Sequence, residues 1–423
     1  MQHTATPYHL LAKPAGAACN LGCDYCFFLS KENLYPNESY LMTPEMQDRY
    51  IRQLLESSPG DEVQIAWQGG EPTLRGLDFF RRSVVLAERY RRPDQKVLHT
   101  IQTNGTLIDD DWAAFLKANN YLVGISIDGP RALHDAFRVT KKGEGSFDDV
   151  IRGWTILKKH DVDVNILCTI NAANADHPLD VYRFFRDDLG ARFLQLIPIV
   201  ERATPDTIEV ANLGWGGQHG RDRPLYTQSG SLVTKRTVSP LAFGAFLNSI
   251  FDEWVTRDVG QVYVTTFDVA LGSWLGQHNA CIVSPTCGQA LALEHNGDVY
   301  SCDHFVEPTY KLGNIASTPL RMLVESEQQR RFGEAKFDTL PKYCRECPVL
   351  FACYGECPRN RFIDTPDGEP GLNWLCAGYK DFFAHIGPKL EVMAALLREG
   401  RFADEIMDVA AGPTDATSSI GGA

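Results

Sequence analysis

Nearly continuous apolar runs alternate with amphipathic stretches along the first two hundred residues. The apolar runs lie at 8–13, 63–67, 97–103, 122–127, 163–170 and 192–198, as expected of parallel strands covered on both faces. Between them apolar positions recur at helical spacing, over 43–57, 76–91, 109–119, 146–160 and 179–189. Six strand–helix repeats of this length predict an α/β fold with a parallel sheet and right-handed crossovers, either doubly wound or curved into a partial barrel. The pattern alone leaves those two open. In either case ligands collect at the carboxyl ends of the strands, so polar motifs that follow the strands share one face.

The texture changes after residue 200. Residues 201–238 are rich in Gly, Thr, Arg and Ser and read as a long loop or substrate-facing insertion. A helix is expected over 240–257. From 281 to 376 the chain is dense in cysteine and poor in periodic segments, the texture of a small domain held by metal. Residues 377–407 read as helical, and the tail from 411 is small, polar and expected to be disordered. The chain therefore divides into a sheet-forming region at 1–238 that includes the insertion, a helical linker at 239–280, a metal-held domain at 281–390, and a C-terminal helix and tail at 391–423.

Composition narrows the chemistry. Apolar content of 44% and charged content of 22% suit a soluble globular chain. Residues 1–11 lack a basic segment followed by an apolar stretch, and no run approaches the ~18 apolar residues of a membrane span. Twelve cysteines without a secretory signal point to metal or redox chemistry in the cytoplasm. A net charge of −13, from 54 acidic and 41 basic residues, argues against nucleic-acid binding.

Cys19, Cys23 and Cys26 follow the first predicted strand with the spacing C-x3-C-x2-C. A four-iron cluster wants four thiolates, so three leave one iron open to a small molecule. A zinc knuckle completed by a distant ligand is the alternative. The second strand ends in Gln68-Gly69-Gly70-Glu71-Pro72, whose glycines let the backbone approach a ligand closely. The third and fourth end in Gln102-Thr103-Asn104-Gly105-Thr106 and Ser126-Ile127-Asp128-Gly129-Pro130, making Asn104 and Ser126 candidates for ribose or carboxylate contacts. Arg138 suits bidentate pairing with a carboxylate. Eight further cysteines, at 281, 287, 302, 344, 347, 353, 357 and 376, complete two four-iron clusters with no open iron, or two zinc sites. Cys168 lies inside a strand and reads as a core thiol.

Taken together, these motifs resemble the radical S-adenosylmethionine (SAM) enzymes with a C-terminal SPASM domain, and among them the anaerobic sulfatase-maturating enzymes. The resemblance runs from about residue 8 to 390 and includes Trp67-Gln-Gly-Gly-Glu-Pro-Thr-Leu, Gly124-Ile-Ser-Ile-Asp-Gly-Pro, Gly297-Asp-Val-Tyr-Ser-Cys-Asp, Leu312-Gly-Asn-Ile and Leu372-Asn-Trp-Leu-Cys. It implies a partial six-stranded (β/α)6 barrel, three 4Fe-4S clusters and bound SAM. By resemblance, Cys281, Cys287, Cys302 and Cys357 hold an inner auxiliary cluster, while Cys344, Cys347, Cys353 and Cys376 hold an outer one. Tyr25, Gly70, Ser126, Arg138 and Val200 match SAM-contacting positions, and Asp303 matches the catalytic base.

The implied reaction oxidises a Cys or Ser of an unfolded sulfatase, or a peptide from one, to formylglycine. A 5′-deoxyadenosyl radical takes hydrogen from Cβ, Asp303 takes the side-chain proton, and an auxiliary cluster accepts the second electron. A flavodoxin- or ferredoxin-like protein would supply the electron that starts each turnover. Two alternatives stand beside this reading: a SPASM maturase that crosslinks a ribosomally made peptide, and a zinc or iron–sulfur electron carrier. The sequence also departs from the family pattern, with Phe28 where relatives often carry Tyr and Tyr354-Gly355-Glu356 in place of a more glycine-rich stretch.

Overall fold

A computed structural model describes residues 8–36, 38–215 and 225–410. The start of the N-terminal segment, residues 216–224 of the insertion and the tail from 411 lie outside the described residues. Six strands follow one another as β1 (His9–Ala12), β2 (Glu62–Trp67), β3 (Lys96–Thr103), β4 (Leu122–Ser126), β5 (Asp163–Ile170) and β6 (Phe193–Pro198). Each pairs in parallel with the next. The apolar runs are strands because helices cover one face while the other packs inward: Ile101, Val123, Ile125 and Ile166 are all buried. Two-residue strands β7 (Arg202–Ala203) and β8 (Leu232–Val233) pair with each other within the insertion.

The sheet is longer than its six repeats. Strand β9 (Tyr263–Val264) extends it beyond β6. On the other edge come β10 (Ala290–Leu293), β11 (Asp298–Tyr300) and β12 (Lys311–Asn314), giving the order β12-β11-β10-β1-β2-β3-β4-β5-β6-β9. Strand β10 runs parallel to β1 with Ala12 opposite Leu293, and β11 and β12 return antiparallel. Strands β1 and β6 do not pair, so β1–β6 form an open, partial barrel. The cysteine-dense region is thus built onto the barrel's own sheet. Its remaining strands, β13 (Arg361–Asp364) and β14 (Pro370–Asn373), form a separate hairpin.

The helices begin where the chain offers caps. Thr43, Asp109 and Ser239 each accept a backbone N–H at the start of Pro44–Ser57, Asp110–Ala118 and Pro240–Arg257. The expected helix at 179–189 is Pro178–Arg183, running on as a wider turn over Phe184–Asp188. The segment read as a linker carries Pro240–Arg257 and a second helix, Thr265–Trp274. The long C-terminal helix Cys376–Arg398 packs along Pro240–Arg257, where Gly244 and Gly378 bring the two backbones together. No helix of the described residues is long and apolar enough to cross a membrane.

Candidate functional site

The three-cysteine loop leaves β1 and folds back across the ends of β2 and β3. Gly70 donates its backbone N–H to Gly16 (2.9 Å) and Glu71 donates its own to Ala18 (2.8 Å). A Cβ on Gly70 would lie 2.0 Å from the Ala18 carbonyl oxygen, so only glycine lets the two loops meet. Below them the Glu71 carboxylate is fully buried. It accepts from Thr73 N and Oγ1 (3.0 and 2.6 Å), Thr103 Oγ1 (2.7 Å) and Asn104 N (2.7 Å), tying the ends of two strands together. Asn104 is buried, and its amide donates to Asn20 Oδ1 (2.8 Å) and approaches Cys19 Sγ (3.7 Å), steadying the cysteine loop itself.

Burial pushes the thiols of Cys19 and Cys23 up to about 12 and that of Cys26 up to about 11. Three thiols with raised values in one loop, Cys23 buried and Cys19 and Cys26 partly so, suit a cationic group that would bind them as thiolates.

A second polar cluster borders the loop. Tyr25 donates its hydroxyl to the buried carboxylate of Asp128, and Arg138 Nε lies 2.9 Å from Asp128 Oδ2, with its guanidinium over the Tyr25 ring at 5.5 Å. Asp128 also accepts from Thr169 N (2.9 Å). The motif Ile127-Asp128-Gly129-Pro130 pointed to this residue, yet sequence reasoning gave it no role. Arg138 is anchored by a carboxylate of its own chain. Ser126 accepts from Gln102 Nε2 at 3.0 Å, and Val200 is buried with its carbonyl accepting from Arg359 Nη2 at 3.3 Å. Cys168 is a wholly buried core thiol on β5.

The eight later cysteines gather into two groups. Cys344, Cys347, Cys353 and Cys376 line one small cavity with Leu350, Leu372 and Tyr379. Burial raises the Cys353 thiol to about 12 and Cys376 to about 11, and other members of the group add to both shifts. In the second group Cys302 lies within electrostatic reach of Cys281 and Cys287, and Cys357 within reach of Cys302. Burial is the largest cause of the rise for each, and for Cys287, pushed up to about 11. Cys357 therefore sits with the cysteines that precede it by more than fifty residues rather than with Cys353.

Asp303 follows Cys302 and meets the end of β1. The register that sets Ala12 opposite Leu293 places Lys13 beside Glu294. Lys13 Nζ lies 3.0 Å from Glu294 Oε1 and 3.0 Å from Asp303 Oδ1, and 4.8 Å from the centre of the Phe28 ring. Burial works against the Lys13 ammonium, but the two carboxylates outweigh it and raise its pKa. In turn Lys13 holds Glu294 below the usual carboxylate range against the effect of burial. Sequence reasoning missed Lys13. Its one signal was a charged residue closing an apolar strand.

Next to Asp303, burial pushes His304 down to about 4, leaving a neutral imidazole 3.7 Å from Cys357 Sγ. The insertion closes over this seam through Gln228, which accepts from Arg359 Nε (2.7 Å) and donates its side-chain N–H to the His304 carbonyl (3.2 Å).

With this geometry in view, the comparisons with known proteins are specific. The Radical SAM superfamily matches residues 14–185, and the SPASM iron-sulfur cluster-binding domain matches residues 281–348. The chain is 44% identical over 393 residues to the serine-type anaerobic sulfatase-maturating enzyme of Bacteroides thetaiotaomicron, covering 92% of each protein. The chain belongs to the anaerobic sulfatase-maturating enzymes. As a member of that family it is a radical SAM oxidoreductase that oxidises a Cys or Ser of a sulfatase to formylglycine. The cysteine-type maturating enzyme of Clostridium perfringens is 33% identical over 388 residues, covering 91% of this chain and 97% of the relative. A solved structure of native anSMEcpe with bound AdoMet and Cp18Cys peptide superposes with a TM-score of 0.77 at 32% identity, over 93% of this chain and all of that one.

Proposed function

We propose that Asp303 is the catalytic base of this maturating enzyme and that three 4Fe-4S clusters serve the reaction. The open cluster would be held by Cys19, Cys23 and Cys26, the inner auxiliary cluster by Cys281, Cys287, Cys302 and Cys357, and the outer one by Cys344, Cys347, Cys353 and Cys376. When bound, SAM and the open cluster supply a 5′-deoxyadenosyl radical that takes hydrogen from Cβ of the target residue. Tyr25, Gly70, Ser126, Arg138 and Val200 would line the SAM site, with Asp128 fixing Tyr25 and Arg138. Asp303 takes the proton from the target's hydroxyl or thiol, so that the residue can give up its second electron. Aldehyde forms directly from Ser, whereas Cys passes through a thioaldehyde that water hydrolyses. A sulfatase peptide is the substrate, and a flavodoxin- or ferredoxin-like one-electron donor serves the enzyme in the cytoplasm.

The observation that carries this reading is the carboxylate of Asp303, next to a cluster-type cysteine and paired at 3.0 Å with a lysine at the root of the three-cysteine loop. A base there stands between the hydrogen-abstracting and the electron-accepting sides of the reaction.

The test incubates anaerobically reconstituted, reduced enzyme and SAM with peptides carrying S-x-A-x-R or C-x-P-x-R. Aldehyde is expected, and mass spectra of both peptides without it would refute the reading. The Asp303→Asn enzyme is expected to keep cleaving SAM while formylglycine falls about 10²–10⁴-fold, the usual contribution of a positioned base. Product at the wild-type rate would assign the base elsewhere. Counting thiolates gives about twelve irons per chain. Iron near four per chain, with zinc in the balance, would remove both auxiliary clusters.

A further inference from the structure

The geometry points to Lys13 as a positioning residue that fixes the Asp303 carboxylate for its encounter with the substrate. This inference rests on Asp303 being the base. Lys13 follows β1 at the root of the three-cysteine loop, while Glu294 follows β10 and Asp303 opens the short helical turn Asp303–Phe305 after β11. All three charges meet within 3.0 Å contacts at one ammonium.

Their exposures differ in a way that assigns them different tasks. Lys13 and Glu294 are 1% and 2% exposed, whereas Asp303 is 13% exposed. Only Asp303 is open to a neighbour. Glu294 by itself matches the Lys13 charge, so the lysine stays paired when Asp303 engages a substrate. The Phe28 ring supplies the other face of the ammonium and links it to the cysteine loop. An aspartate on a short turn, held by one oxygen, loses its rotational freedom without losing access. Holding a reacting group in place is worth as much as chemistry: a misplacement of about 1 Å costs about 10²-fold in rate.

Three holoenzymes, reconstituted with iron and sulfide, decide the matter: wild type, Lys13→Met and Lys13→Arg. Each is given SAM and the Ser peptide, and formylglycine, 5′-deoxyadenosine and KM for the peptide are measured. Lys13→Met is expected to keep KM within about threefold while formylglycine formation falls about 10²-fold. Because SAM is still cleaved, 5′-deoxyadenosine per formylglycine should rise at least tenfold. Lys13→Arg, which keeps a donor for both carboxylates, should recover most of the coupling.

A stranded Glu294 can prevent Lys13→Met from folding, since breaking a buried pair leaves an uncompensated charge. The double variant Lys13→Met/Glu294→Met removes both charges and meets that case, with the same uncoupling expected. If either folded variant couples like wild type, or if neither loads its clusters, Lys13 is a structural ion pair and the inference fails. Wild type that makes no formylglycine would instead overturn the assignment of the reaction, which is a separate result.

Discussion

His99 lies on β3 with its ring stacked on Tyr121 at 5.0 Å, and burial pushes its imidazole down to about 4. Its Nδ1 has no hydrogen-bond partner among the described residues. The sign follows from linkage. The unfolded chain binds a proton near the ordinary histidine value of about 6.5, which the folded one refuses until about pH 4, so stability is lost as pH falls through that window. At pH 5 this one residue costs about 2 kcal/mol relative to pH 7. Phe keeps the stacked ring and has nothing to protonate. We expect His99→Phe to match or exceed wild-type stability at pH 7 and to lose less on acidification. Anaerobic thermal unfolding at pH 7 and pH 5 measures it, and equal losses in the two proteins would sink the argument. Glu71 is the contrasting case, a buried carboxylate kept by four donors from two strand ends.

Between Cys353 and Cys357 the chain makes a turn in which Tyr354, Gly355 and Glu356 all have positive φ, at 44°, 68° and 52°. This accounts for the departure from a glycine-rich stretch: the positions suit glycine, and the non-glycine residues there cost about 1–2 kcal/mol each. Local bonds offset the cost. Arg361 donates to the carbonyls of Tyr354 (2.6 Å), Gly355 (2.9 Å) and Glu356 (3.1 Å), and the Glu356 carboxylate accepts from Asn360 and Asn373 (3.1 and 2.8 Å). Reversing the chain here lets Cys353 join one thiol group and Cys357 the other. Glu356→Ala should destabilise the protein by about 1–3 kcal/mol, because the buried Asn360 amide loses its acceptor while Asn373 keeps the Gly355 carbonyl at 3.2 Å and the strained backbone stays. Glu356→Gln, which keeps an acceptor, should cost less. Thermal unfolding and iron content check both, and an Ala variant with wild-type values for each would show the turn to be held without the Glu356 carboxylate.

The same elements show what the sequence makes legible. Six strands were readable because each is an apolar run covered on both faces, and the cysteine loop because its spacing is local. Strands β10–β12 were not, since four-residue segments such as Ala290–Leu293 owe their extended form to pairing with β1, nearly three hundred residues away. Lys13 was hidden for the same reason, with partners 281 and 290 positions along the chain. The grouping of Cys357 came from family likeness, because spacing says nothing of a left-handed turn.

At the scale of the molecule, Asp303 and the three-cysteine loop are carried by different regions, and two of the seams between those regions bear on their alignment. One is the β1–β10 ladder, continued by the bond from Lys13 N to the Leu293 carbonyl at 2.9 Å. The other is the helix pair Pro240–Arg257 and Cys376–Arg398, where a Cβ on Gly378 would lie 2.0 Å from the Pro240 carbonyl oxygen. Backbone cannot give way as a flexible side chain does, so Gly378→Ala must push the helices apart. Overpacking of this kind costs about 1–3 kcal/mol. The shift also moves the cysteine-dense region against the barrel, and with it Asp303 against the three-cysteine loop. SAM binding, which depends on the barrel, should stay within about threefold of wild type, while formylglycine formation falls by about 10-fold or more, on the scale of a sub-ångström misplacement. Equilibrium binding of SAM and turnover on the sulfatase peptide separate the two effects. Unchanged turnover in a protein of lowered melting temperature would mean that the sheet alone fixes the base, and that the helix seam contributes stability without alignment.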